Sequence, residues 1–345
     1  MAQDQNPTQY ELLPGEKPTL KTISRLSGMA VPTVSRALND APDINVETKK
    51  TIREIADAIG YVPNRAGVRL RTGRTNVISL VLAPENDMMN HTAQLINSIT
   101  RELRGTNYHL NITPYFYDDD PLKPIRYVVE NHSADAIIMN QTTPNDPRVR
   151  YLIDHNFPFA THGRTSLKTH PYFDFDNHAY AAFAVEHLVK RGRKHLVVVA
   201  PPRGQFYAED TINGATEAAE KLGVSLRIIR RINSDNSAEV SCAALKDILT
   251  EDPTIDGIIC SSPLAAMGAA VAIEKKGRVL GGDIDVFGKE AINFLRIFRR
   301  NIIVMKEDVA RAGSFLARAA IEAIRDPLAP PMQGLQVPTE DDLAP

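Results

Sequence analysis

The sequence predicts a small all-α helix-turn-helix headpiece followed by an α/β body of two doubly wound subdomains. Three observations carry this reading. Residues 19–60 place apolar side chains at helical spacing between capping residues. Residues 76–335 alternate short, wholly apolar runs with helical segments. A length of 345 residues exceeds what one small core requires.

In the first segment, Leu20, Ile23 and Leu26 recur at helical spacing behind Thr19, a residue suited to cap free N–H groups. Gly28 ends that helix where a positive φ is tolerated. Past this turn, Val31, Val34 and Leu38 make an inward stripe on a second helix. That leaves Thr33, Ser35, Arg36 and Asn39 for groove edges and phosphates, with Arg36 as the residue suited to read a base. Asn45 caps a third helix, Ile52, Ile55, Ala56 and Ile59 form its apolar face, and Gly60 closes it. The hairpin pattern alone also fits an ordinary pair of helices with a solvated face.

Charge narrows the choice. Between Lys17 and Arg74 eleven Lys or Arg stand against five acids, a net +6, so a whole-chain charge of −2 leaves −8 elsewhere. A cationic end on an acidic body fits a protein in which one module meets phosphate. Within residues 61–75, Leu70 stands among Arg65, Arg69, Arg71 and Arg74 with no amphipathic period, the composition of a segment that orders on a polyanion.

The body reads as strands at Val77–Leu82, 110–113, Ala136–Met139, 157–161, 196–200, 226–229, Gly257–Cys260, 285–287 and 302–304. Helices lie between most of them, at 94–104, 179–191, 210–222, 238–249, 264–275 and 307–325. Apolar strands separated by helices indicate parallel sheets covered on both faces. The domain boundaries expected are a disordered tail at 1–18, the headpiece at 19–63, a hinge helix and linker at 64–75, the body at 76–335 and a tail at 336–345. No apolar run approaches the roughly 20 residues that span a bilayer, and the start lacks a secretory pattern, so a cytoplasmic protein without membrane contact is expected. Cys242 and Cys260 read as reduced packing residues. Walker, Gly-x-Ser-x-Gly and Gly-x-Gly-x-x-Gly motifs are missing, which argues against an enzyme. The nine histidines show no compact ligand spacing, so neither metal nor cofactor is expected.

The strings Thr33-Val34-Ser35-Arg36, Ala37-Leu38-Asn39, Gly60-Tyr61-Val62-Pro63-Asn64 and Leu70-Arg71-Thr72-Gly73-Arg74-Thr75, in this order and spacing, resemble the DNA-binding headpiece and hinge of the lactose-repressor family. Phe175-Asp176-Asn177, followed by an Ala-rich helix and Gly192-Arg193-Lys194-His195, resembles that family's passage between lobes. The body is thereby similar to periplasmic sugar-binding proteins, with a cleft at the carboxyl ends of the strands. The resemblance implies a ligand-responsive transcriptional regulator acting as a repressor: a homodimer on pseudo-palindromic operator DNA, with a sugar or related metabolite as effector. The alternative is a cytoplasmic sugar-binding protein without regulation, which explains the lobes but not the headpiece. Candidate DNA contacts are Thr19, Val31, Pro32, Thr33, Ser35, Arg36, Asn39, Tyr61, Asn64, Arg65, Gly67 and Leu70. The resemblance gives Leu70 the part of a minor-groove wedge, and Gly67 stands where the family usually has Ala. No heptads follow Leu335, so a dimer is expected and not the tetramer of members with a C-terminal coiled coil.

Family positions carried over one at a time place the effector lining at Asn90, His91, Asn140, Arg164, Tyr207, Thr211, Ser262 and Glu290. Several depart from pattern. Met88-Met89-Asn90-His91 replaces Asn-Pro-Phe-Phe, Thr211 replaces an arginine, Glu290 replaces an Asp, and Pro263 stands where an Asp often begins a helix. The loss of the arginine favours a neutral hydroxylated ligand, while Arg164 and His162 keep an anionic one open.

Overall fold

The computed structural model describes residues 10–62, 67, 69, 73–82, 88–116 and 119–344, with backbone only for 88–90. The chain divides into two compact units, Met1–Thr75 and Asn76–Pro345.

Among the fully described segments of the first unit are the helices α1 (Leu20–Ser27), α2 (Val31–Leu38) and α3 (Val46–Ala58). Their ends are set locally. Thr19 Oγ1 accepts from Thr22 N, Asn45 Oδ1 accepts from Thr48 N, and Gly28 takes φ +69, a left-handed conformation that a β-carbon would strain. Ile23, Val34, Ala37, Ile52, Ile55, Ala56 and Ile59 form the core, with Leu20, Leu26, Leu38 and Tyr61 packed at its margin. The inward stripe of α2 is therefore centred on Val34 and Ala37. Val31, expected to belong to it, stands at the first turn outside the core, because 100° per residue carries that turn to the rim.

The second unit contains two parallel sheets. The first is ordered β11-β5-β4-β3-β1-β2, from β1 (Val77–Leu82), β2 (His109–Pro114), β3 (Ala136–Met139), β4 (Phe159–His162), β5 (Tyr172–Phe175) and β11 (Gln333–Gln336). The second is β10-β9-β8-β6-β7, from β6 (His195–Val199), β7 (Ser225–Ile228), β8 (Gly257–Cys260), β9 (Asp285–Glu290) and β10 (Ile302–Lys306). Around them lie α4 (Met88–Glu102), α5 (Leu122–Glu130), α6 (Pro147–Asp154), α7 (Asn177–Lys190), α8 (Phe206–Leu222), α9 (Ala238–Glu251), α10 (Pro263–Lys275), α11 (Leu295–Phe298) and α12 (Val309–Arg325). Separate apolar clusters cover the two faces of each sheet, as wholly apolar strands demand. Helices α7 and α8 pack so closely that a β-carbon at Gly214 would lie 2.1 Å from the His178 carbonyl oxygen.

The chain passes between the sheets at Asp176, around Glu307, and after Gln336. These passages are stitched together. Asp176 N donates to the Gln336 carbonyl (2.8 Å), Asp308 N donates to Gln336 Oε1 (2.9 Å), and Gln336 Nε2 donates to the Lys306 carbonyl (3.3 Å). Residues 336–344, expected as a tail, are part of this unit: β11 pairs with β5, and Leu343 bridges Met305.

Candidate functional site

In the first unit, α1 and α2 are joined by the Gly28 turn, and the outer face of α2 carries the sequence-predicted polar residues. Pro32 and Arg36 are exposed, while Val31, Thr33 and Ser35 are half-buried. Arg36 is not idle: its guanidinium pairs with Asp43 in the turn before α3. The Asn39 side chain folds back on the Ser35 carbonyl, and the Thr19 hydroxyl is engaged in capping α1. Tyr61 packs on the core, where burial pushes its phenol up from its ordinary range. Gly67 is helical, with nothing within 4 Å of where its β-carbon would stand. Asn64, Arg65 and Leu70 lie outside the described residues.

In the second unit a cavity opens between the lobes at the carboxyl ends of the strands. Each sheet contributes an equivalent corner. Asn140 is the first residue beyond β3, and Ser261 the first beyond β8; β3 and β8 are the neighbours of the leading strands β1 and β6. Both line the cavity, both are buried, and Asn140 Oδ1 and Ser261 Oγ have no hydrogen-bond partner among the described residues. The loop bearing Asn140 is held from beneath. Buried Arg148 donates to the carbonyls of Asn140 (3.2 Å) and Gln141 (2.9 Å) and pairs with buried Asp146 at 2.7 Å. Burial alone would raise the Asp146 pKa, but the bonds and charge of Arg148 more than offset it and hold the carboxyl below its usual range.

Of the sequence-predicted lining, His91, Asn140, Tyr207, Ser262 and Glu290 do face the cavity. Two of these already have structural work. The Ser262 hydroxyl caps α10 and donates to the Ser234 carbonyl (2.6 Å), and Glu290 Oε2 accepts from Phe294 N (3.0 Å) and Leu295 N (2.7 Å) at the start of α11. The Asn90 side chain lies outside the described ones.

Two residues are placed elsewhere. Thr211 is fully buried, donates to the Tyr207 carbonyl one turn back (2.7 Å), and does not line the cavity, because its face of α8 is the packed one. Arg164 also lies off the cavity wall. Three carboxylates draw its guanidinium away: Asp174 at 2.7 Å, Asp210 at 2.8 Å and Asp176 at 3.9 Å. An anionic ligand loses its best cation by this arrangement.

Sequence reasoning missed the charged floor of the cavity. Lys289, from β9, pairs with Glu307 at 3.0 Å, donates to Asn177 Oδ1 at 2.8 Å and stands 4.8 Å over the Phe175 ring. Glu307 also faces His91 Nε2 at 3.5 Å, and the His91 and His162 rings stack at 5.1 Å. Burial pushes His162 down to about 3, helped by His91 and Lys289 and opposed by Glu307. Burial would raise the Glu307 pKa, but Lys289 and His91 bring it far below the usual carboxylate range. No periodicity marked this position, because β9 is buried on both faces as far as Gly288 and Lys289 reads as a charge at a strand end.

A three-helix unit with a polar second helix, together with two parallel-sheet lobes around a polar cleft, defines a ligand-binding body carrying a helix-turn-helix module. Comparison with known proteins makes this specific. Residues 19–64 match the bacterial regulatory proteins of the lacI family, and residues 75–299 match the periplasmic binding proteins and sugar-binding domain of the LacI family. The chain belongs to the LacI family of HTH-type transcriptional regulators. It is 30% identical to the regulator RafR of Escherichia coli over 80% of each chain, and 27% identical to AglR of Rhizobium meliloti over 79% of this chain and 78% of that one. Among solved structures, the lac repressor dimer bound to operator and the anti-inducer ONPF shares the fold with a TM-score of 0.82 at 18% identity, covering 96% of this chain and 98% of that one. The complex of CelR with cellobiose superposes with a TM-score of 0.69 at 20% identity, covering 95% and 99%.

Proposed function

We propose that this regulator is a cytoplasmic, homodimeric repressor whose operator affinity is set by a small, neutral, hydroxylated metabolite bound between its lobes. No catalytic step is assigned to it. The observation that carries the ligand class is the pair Asn140 Oδ1 and Ser261 Oγ, one from each lobe, buried and without hydrogen-bond partners among the described residues. Leaving such atoms unpaired costs roughly 1–3 kcal/mol each, which a ligand hydroxyl reaching both corners recovers only when the lobes are correctly spaced. Charge points the same way. Among the described lining residues, Asp235, Glu290 and Glu307 stand against the ammonium of Lys289, while Asp174 is paired with Arg164, so phosphates and carboxylates are disfavoured. On the DNA side, Pro32, Thr33, Ser35 and Arg36 supply the groove face and the basic segment 65–74 the phosphate contacts. CelR is solved with cellobiose and lac repressor with operator, which supports both halves of the reading.

The test selects an operator from random DNA, then measures its affinity by fluorescence anisotropy in the presence of neutral sugars and polyols or their phosphates. A neutral compound should shift operator affinity, and Asn140→Ala or Ser261→Ala should weaken that compound about tenfold. Response to anions alone, or unchanged ligand affinity in both variants, overturns the ligand class. Absence of sequence preference overturns the operator reading.

A further inference from the structure

His91, His162 and Glu307 come from the start of α4, the end of β4 and the passage after β10, yet one donor atom of each lies within 4.8 Å of the others. We propose that these three side chains form a binding site for a divalent transition metal, zinc in the first instance, with a further coordination position open to the cleft. Two imidazoles and one carboxylate are a donor set that suits zinc and its neighbours and does not suit magnesium or calcium, which take oxygen donors.

The geometry is nearly assembled. His91 Nε2 is already 3.5 Å from Glu307 Oε1, and a tetrahedral zinc site with Zn–N of about 2 Å separates neighbouring donors by about 3.3 Å. The two rings stack at 5.1 Å with planes 21° apart, and one nitrogen of each already lies within 4.8 Å of a Glu307 oxygen, so side-chain adjustment of the imidazoles is the movement that coordination asks for. Lys289 occupies the other carboxylate oxygen, Oε2, at 3.0 Å. It therefore orients Glu307 as an outer partner while leaving Oε1 on the histidine side. Its positive charge lowers the affinity for a cation, but Asp235 and Glu290 line the same cavity and add negative charge beside the site.

Both histidines belong to the first lobe, whereas Glu307 lies on a passage between lobes, so a bound metal ties one lobe to the hinge. A hydroxyl of a cleft ligand is suited to the remaining coordination position, which would make metal and metabolite cooperative effectors. The metal site itself stands independently of the regulatory reading.

The experiment uses the full-length protein, without a histidine tag and stripped by chelator, titrated with Co²⁺ and then with Zn²⁺. The expected result is one equivalent of Co²⁺ with intense visible d–d absorption and no thiolate charge-transfer band, since Cys242 and Cys260 are buried in a core. Zn²⁺ should displace it. His91→Gln and His162→Gln should each lower Co²⁺ affinity by about tenfold or more. Should His162→Gln fail to fold, His91→Gln decides alone, because that ring is 33% exposed and tolerates replacement. Weak octahedral absorption, no saturable binding, or a signal unchanged by His91→Gln overturns the proposal. None of these readouts requires operator or sugar, so failure here is distinguishable from failure of the cleft ligand.

Discussion

Arg164 Nη2 and Asp210 Oδ2, on opposite lobes, lie 2.8 Å apart, while Nε of the same guanidinium holds Asp174 at 2.7 Å within the first lobe. One side chain thus clamps the cleft beside its mouth, aided by the amide of Phe206 donating to the Thr142 carbonyl at 2.9 Å. Asp210→Asn should leave global stability within about 1 kcal/mol, because loss of the part-exposed pair is offset by relief of repulsion among three carboxylates. It should nevertheless speed amide exchange in the first turn of α8. Unchanged exchange would show that the clamp does not hold the lobes.

Arg36→Ala should cost on the order of 1–3 kcal/mol on the selected operator and relax preference at one base pair per half-site. The pair with Asp43 adds a second expectation. Asp43→Ala frees the guanidinium and removes a negative charge, so it should tighten binding. Competition binding across single-base operator variants measures both, and an unchanged preference profile in Arg36→Ala would remove Arg36 from base readout.

Gly67 is helical and its missing β-carbon would meet open space, so Gly67→Ala gains about 1 kcal/mol of helix propensity without a clash. Operator binding should tighten and ligand response should blunt. Leu70→Ala should abolish operator bending while nonspecific binding persists. Circular-permutation gel shifts that report equal bending would refute the wedge.

Asp146→Asn should cost about 3–5 kcal/mol, since it strands the buried Arg148. Because the Asp146 pKa is lowered in the folded protein, the unfolded chain binds the proton more readily in acid. This contribution is therefore complete above about pH 4, the unfolded value, and is lost as pH falls through the folded one. Urea midpoints by circular dichroism from pH 7 to pH 3 should fall for the wild type, with a shallower slope for Asp146→Asn. Equal slopes would exclude the pair as the source.

Glu290→Gln tests whether that carboxylate serves ligand or fold. The amides of Phe294 and Leu295, at the entry to α11, take one of its oxygens, so we expect a stability loss of about 1 kcal/mol and only a small change in ligand affinity. A large loss of ligand affinity at constant melting temperature would return Glu290 to the role the family resemblance implies.

The headpiece was legible because its determinants are local: Thr19 and Asn45 act on residues three positions away, and Gly28 on its own backbone. Most strands were legible for the same reason. β5 and β11 were not, because Tyr172–Phe175 and Gln333–Gln336 mix polar and apolar residues and owe their pairing to partners far along the chain. The cleft divides similarly. Family positions led to Asn140, Ser262 and Glu290, and the sequence already drew attention to His162, whereas Lys289 and Glu307 acquire meaning only once three chain passages meet. Arg164 and Thr211 misled because sequence position does not reveal which acids surround a guanidinium or which face of a helix is packed.

The hydrogen bonds through Gln336 have a mechanical consequence. Three linkers that moved independently would let the lobes slide and shear; three linkers riveted at one residue leave rotation about an axis near that point. Displacement then grows with the lever arm from Gln336, so Glu307 and Asp176, next to these bonds, travel least and the parts of each lobe remote from Gln336 travel most. A ligand too short to touch both corners cannot set that angle, however tightly it holds one of them.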